Sequence, residues 1–181
     1  MNALVTLDEQ RWHQFVRNFS MYPFKNDSAF YHECEVSGDV RDVFDFCVRP
    51  QNICEISPPS VQMEVVSGNH AQPVERGSSV TFRSRILSIS VSWQAYYPVV
   101  WQDKNCAGFV DIQVGGLFER YCHVHRIEKT CQGTTRVTDY LRWKLRGAQF
   151  ASKVWQPVVH AQMDHILGFR QDCLEQKFKK P

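Results

Sequence analysis

Two histidines and one aspartate are the side chains of this sequence best placed to do chemistry. His123 and His125 are separated by a single residue. In an extended segment, residues two apart point to the same side, so the two imidazoles share a face with Tyr121 and Ile127. Asp139 has the parity of Val137, Leu141 and Trp143, an otherwise apolar set. A carboxylate on such a face is costly unless it is paired or protonated. His123 or His125, on the preceding antiparallel strand, is its natural partner. The group supports three chemistries: a structural His–Asp pair, a polar anchor that orients a ligand in an apolar pocket, or general acid–base work such as aldol cyclisation or dehydration of a polyketone.

Two strand histidines and an aspartate could also hold zinc, but no other metal signature accompanies them. His160 and His165 are five apart and lack the helical metal-pair spacing. No metal and no other cofactor is therefore expected. The sequence has no nucleophile elbow, no Gly-rich phosphate loop and no dinucleotide fingerprint. Gly115-Gly116 falls between strands and reads as a turn.

Aromatic residues surround the same positions. Trp93 and Tyr97 share a strand face with Val91 and Ala95, and Phe82 shares one with Val80 and Ile86. Trp143 and Tyr121 join them, with Trp155 and Phe169 supplied by a C-terminal helix. Each one alone fits a solid core; together they make a candidate ligand wall. Asp111 and Gln113 alternate with Val110, Ile112 and Val114, and either set can face inward, so both polar residues are candidate ligand contacts.

The elements that must hold these residues follow from periodicity. A first strand covers 30–36. A helix follows with Val40, Val43, Phe44 and Cys47 on one face, stopped at Arg49-Pro50. A short helical turn runs through Ile53 and Ile56 to Pro58-Pro59. From Val61 the period becomes two, with strands at 61–66, 79–87, 90–101, 107–114, 120–129 and 135–145, separated by Gly- and Asn-containing turns. In the last strand Val137, Leu141, Trp143 and Leu145 oppose Arg136, Thr138, Tyr140, Arg142 and Lys144, the mark of an antiparallel sheet with one covered face. A helix then runs from 147 to about 178, with Phe150, Val154, Val158, Ile166, Phe169 and Cys173 as its apolar stripe and a kink expected before Pro157. Strands followed by a helix argue α+β.

Composition sets the outer bounds. The chain has 181 residues, 43% of them apolar and 22% charged, which suits one domain with a sizeable core. A net charge of +2 is too weak a bias to imply nucleic acid. No apolar run is long enough to span a bilayer, and MNALVTLDEQ does not read as a signal peptide. Seven cysteines without a Cys-x-x-Cys pair point to reduced thiols in a cytoplasmic protein.

The order of elements resembles the SRPBCC superfamily, which includes START lipid-binding domains, the major birch pollen allergen and polyketide aromatase/cyclases. The similarity covers roughly residues 30–178 and is nearest to the bacterial ligand-binding SRPBCC group. It rests on Ser57-Pro58-Pro59, Gly77-Ser78 before Val80-Thr81-Phe82, the Phe109-x-Asp111-x-Gln113 strand, Gly116-Leu117-Phe118 before His123-x-His125, Thr138-Asp139, and Phe169-Arg170. Leu117 replaces a proline of the family pattern, and Ile127 an aromatic. The resemblance implies a helix-grip fold: a curved seven-stranded antiparallel sheet wrapped on the long C-terminal helix, with two short helices after strand 1. It further implies a domain at 30–178 that binds an apolar small molecule (a lipid, isoprenoid or polyketide-like compound) in an internal pocket faced by His123 and His125. A polyketide cyclase acting through His123, His125 and Asp139 is the alternative, and a non-catalytic structural or interaction domain the second. A homodimer remains open.

Residues 1–29 lie outside the resemblance. Thr6-Leu7-Asp8-Glu9 has capping-box spacing, and Trp12, Phe15, Val16 and Phe19 form a helical stripe that an isolated short helix could not leave in water. The outer face of the sheet, a second subunit and the pocket mouth are its candidate supports, with the body of its own domain favoured.

Overall fold

A computed structural model describes residues 28–68, 71–86 and 89–179, with the side chains of residue 86 and of 148–154 outside the description. The expected N-terminal helix lies outside these residues. Seven strands form one antiparallel sheet: β1 (Ser28–Val36), β2 (Glu64–Ser67), β3 (Ser79–Ile86), β4 (Ile89–Gln102), β5 (Cys106–Val114), β6 (Phe118–Lys129) and β7 (Thr135–Leu145). Their order is β1-β7-β6-β5-β4-β3-β2. Strands 2 to 7 are thus a meander, and β1 closes onto its far edge beside β7. Two short helices, α1 (Val40–Cys47) and α2 (Pro50–Glu55), follow β1, and α3 (Ala148–Lys177) is the long C-terminal helix. This is the curved-sheet, helix-grip α+β architecture expected.

Each element has a legible local cause. Val40, Val43, Phe44 and Cys47 are the buried face of α1. Pro50 occupies the first turn of α2, where its missing N–H has no helical role. Burial alternates along all of β7, with the odd-numbered residues Thr135 to Leu145 covered. The main core joins α1 to the inner face of the sheet through Val43, Phe44, Cys47, Ala107, Phe109, Ile127, Val137 and Leu174.

Two expectations need correction. The strand expected at 61–66 begins only at Glu64. Pro59–Val61 continues as a 3-10 turn, and Gln62, at φ 46°, takes the left-handed conformation that delays the extended run. The buried stripe of α3 is Val159, Met163, Leu167, Arg170 and Leu174 rather than one through Val158 and Cys173; Val158 is 38% exposed. As expected, α3 is one helix with Pro157 inside it.

Within β4 the pairing slips. Tyr96 faces Ile112, but Val99 faces Val110, so β4 carries one extra residue there, as in a β-bulge. The slip inverts the alternation. Ala95 and Tyr97 are buried on the inner side, and beyond the bulge Val100 packs inward while Val99 and Trp101 belong to the outer face. Trp101 pairs with Gly108, and its ring occupies the space that a Cβ on Gly108 would need. With Val110 and Val124 it forms a small apolar cluster on that outer face, flanked by Val99, Cys122 and Tyr140.

Candidate functional site

Strand register assembles the polar cluster. Asp111 on β5 faces His123 on β6, and His125 on β6 faces Asp139 on β7. All four point inward, which settles the orientation of β5: Asp111 and Gln113 face the interior, and Ile112 and Val114 are exposed.

Asp139 is the centre of the group and is fully buried. Its Oδ1 lies 2.7 Å from His125 Nδ1 and 3.1 Å from His123 Nε2. Its Oδ2 lies 3.6 Å from Arg170 Nε, an ion pair longer than a hydrogen bond. On the other side, Asp111 Oδ2 lies 3.0 Å from His125 Nε2 and 3.8 Å from His123 Nδ1. The two imidazole rings are 3.8 Å apart, and Phe109 stacks on His125 at 4.2 Å.

Burial and charge compete at these groups. Burial opposes ionisation of Asp139, but Arg170 and the two histidines outweigh it and hold the carboxyl well below the usual range. For His123, burial comes first, reinforced by His125. Together they outweigh Asp139 and keep its pKa below that of an ordinary histidine. Burial would depress Arg170 as well, but Asp139 beside it turns the balance upward. Burial, then the Asp111 carboxylate, push the Tyr121 phenol well above its usual value.

The cluster borders a void of about 90 Å³ between the sheet and α3. Of the side chains singled out in the sequence, Phe82, Trp93, Tyr97, Asp111, Tyr121, His123 and His125 line it. A second void of about 70 Å³ touches Gln113, Trp93 and Tyr121. The remaining expected contacts lie elsewhere. Trp143 is buried in a solid cluster with Phe118, Leu141, Val159 and Leu167. Trp155 is 50% exposed and Phe169 is half-buried; neither lines either void, whose helical wall is Met163, Ile166, Leu167 and Arg170.

Arg170, Ile53 of α2, and Ile56 and Ser57 just after α2 were missed as wall components. The signal for Arg170 was available. It falls on the three- and four-residue steps of Met163, Leu167 and Leu174, so it is a lone charge on a buried helical stripe, as Asp139 is on β7.

Among the described residues, no helix is long and apolar enough to cross a membrane. The chain matches no family model and no curated protein. Its likeness is to solved structures. A Thermus thermophilus protein is 18% identical with a TM-score of 0.61, covering 83% of this chain and 97% of that one. A START superfamily protein from Mycobacterium smegmatis is 12% identical with a TM-score of 0.58, covering 82% and 97%. Ara h 8.0201 is 16% identical with a TM-score of 0.54, covering 82% and 98%. At these identities the likeness speaks of fold alone: the chain has the helix-grip fold that these structures share.

Proposed function

We propose that the chain binds a small apolar molecule bearing one polar group, seated between the sheet and α3 with its polar end at Asp111, Tyr121, His123 and Arg170. The observation that carries this reading is the larger void, whose wall is mainly apolar while Asp111, Tyr121, His123, His125 and Arg170 converge on it, the usual pattern of a small-molecule site. Pockets for drug-sized ligands measure roughly 300–1,000 Å³, so the resting space of about 90 Å³ admits only a few heavy atoms. Met63, Trp93, Tyr121, Met163 and Ile166 line both voids and stand between them. Methionine repacks easily, and withdrawal of Met63 and Met163 joins the two spaces into one suited to a lipid, isoprenoid or polyketide-like chain.

The test is displacement of an environment-sensitive dye by such compounds, repeated with Ala95→Leu. Ala95 is buried and borders the larger void, so leucine there fills it. Uptake by the natural chain and its loss in the variant are expected. No uptake by a folded natural chain overturns the reading in favour of a structural or interaction domain.

A second reading, acid–base catalysis of cyclisation or dehydration, is favoured by the 2.7 Å contact of His125 with Asp139, which orients the imidazole as a base needs. Under it, His123→Ala removes turnover of a polyketone and leaves its binding in place; under a purely binding role it alters affinity only.

A further inference from the structure

We propose that Asp111, His123 and His125 are the ligands of one divalent transition-metal ion, zinc being representative, and that Asp139 is the positioning residue behind both histidines. The sequence alone pointed away from a metal, because no other metal signature accompanies the two strand histidines and Asp139. The structure gives the carboxylates two different places. Each imidazole turns one nitrogen to Asp139 and the other towards Asp111: Nδ1 and Nε2 of His125 at 2.7 and 3.0 Å, and Nε2 and Nδ1 of His123 at 3.1 and 3.8 Å.

A proton count makes this arrangement informative. A neutral imidazole has one N–H. With the His125 proton on Nδ1, where it donates to Asp139 Oδ1, and the His123 proton on Nε2, the nitrogen nearer Asp139, two nitrogen lone pairs and the Asp111 oxygen face one spot, one donor atom of each residue lying within 4.8 Å of the others. Three electron-rich atoms held together in a buried place repel unless a positive charge sits among them. An extra proton on His125 answers one contact; a metal ion answers all three. Ligand bonds of about 2.0–2.2 Å place neighbouring donors roughly 3–3.5 Å apart, close to the separations found.

The surroundings agree. A metal-bound histidine characteristically donates its second ring N–H to a carboxylate, which is the place Asp139 occupies for His125, with His123 Nε2 3.1 Å from the same oxygen. Two carboxylates, Asp111 and Asp139, stand against one guanidinium, Arg170, so the buried group carries a formal negative excess that a cation offsets. Two imidazoles and one carboxylate suit zinc, iron, cobalt or nickel better than magnesium or calcium. Three protein ligands leave a coordination position open, and the void lined by Tyr121 and Leu141 adjoins the site. The proposal stands apart from ligand binding, since dye uptake is measurable on the chelator-treated protein.

The experiment is a titration of chelator-treated full chain with cobalt(II), read by its visible ligand-field absorption and by competition with zinc(II). One equivalent is expected to bind. Asp111→Asn is expected to weaken binding by more than the roughly 10–100-fold typical of an outer-sphere partner, with circular dichroism unchanged. Should that variant fail to fold, paramagnetic shifts of the His123 and His125 ring protons in the unsubstituted protein decide the same question. Absence of absorption, with nitrogen NMR finding both ring nitrogens of His125 protonated, overturns the proposal. So does absorption that survives Asp111→Asn, or histidine rings left unshifted by bound cobalt, since the metal then sits elsewhere.

Discussion

His125 stands between two carboxylates, with Asp139 2.7 Å from its Nδ1 and Asp111 3.0 Å from its Nε2. Three strands meet in that one side chain: β6 supplies the ring, and β7 and β5 supply its flanking acids. Phe109 covers the ring face, so the imidazole cannot turn without breaking a stack as well as two polar contacts. The helix contributes through Arg170, which faces the far oxygen of Asp139.

Asp139→Asn leaves the Arg170 guanidinium buried beside a neutral amide. Removing one partner of a buried ion pair costs about 3–5 kcal/mol, and denaturant unfolding should register a loss of that order. The double variant Asp139→Asn/Arg170→Met should recover part of it, since the stranded charge is gone. A single-variant loss below about 1 kcal/mol, the range of exposed pairs, would contradict the placement of this pair.

Gly108→Ala drives a methyl into the Trp101 ring on the outer face and against the backbone of β6 at His125. Overpacking of this kind costs roughly 1–3 kcal/mol. The expected readout is a lower midpoint of unfolding with a changed Trp101 emission, measured against the other tryptophans as phenylalanine. An unchanged midpoint would mean that the ring does not lie on Gly108.

Leu167→Ala removes buried side-chain volume from the helical wall of the larger void. Leucine-to-alanine changes in a core cost about 2–5 kcal/mol, and the enlarged space should admit bulkier ligands than the natural chain takes. Dye-displacement profiles over a ligand series measure the second effect. An unaltered size profile would place the ligand away from α3.

Cys47 is buried against α1's neighbours, and burial is the main force pushing its thiol from 9.0 up to about 11. The unfolded thiol ionises first as the pH rises. Its contribution to stability is therefore whole below about pH 9 and is lost between pH 9 and 11. Iodoacetamide should modify exposed Cys131 in the native protein and reach Cys47 only on unfolding. Equal native rates at the two thiols would refute the burial of Cys47.

Much of this was readable beforehand, for physical reasons that differ by element. β7 alternates without a break, so its wet and covered faces, and the anomaly of Asp139 on the covered one, follow from side-chain period alone. The pairing of His123 and His125 with Asp139 needed only the assumption that β6 and β7 are neighbours. Asp111 was ambiguous because both parities of β5 hold plausible inward residues, and only register against β6 decides between them. The phase of α3 was misjudged because Val158 anchored it, whereas among the described side chains burial falls on Val159, Met163, Leu167, Arg170 and Leu174. Arg170 was lost with that phase. The bulge in β4 left no local mark, since it is defined by the count of residues on the partner strand.

That bulge divides β4 into two segments read in different frames. Substitutions near Tyr97 and Pro98 change single side chains, but losing one residue there would put the two segments back in step. Trp101 would still pair with Gly108 and Val100 with Phe109, so both faces would keep their members and only the bulge and its local bend would vanish. The extra residue therefore shapes the course of β4 without deciding which side chain faces the cavity. In a library of variants screened for folding, single-residue deletions between Tyr96 and Val99 should be tolerated more often than deletions elsewhere in β4, where one residue lost turns every later side chain to the other face.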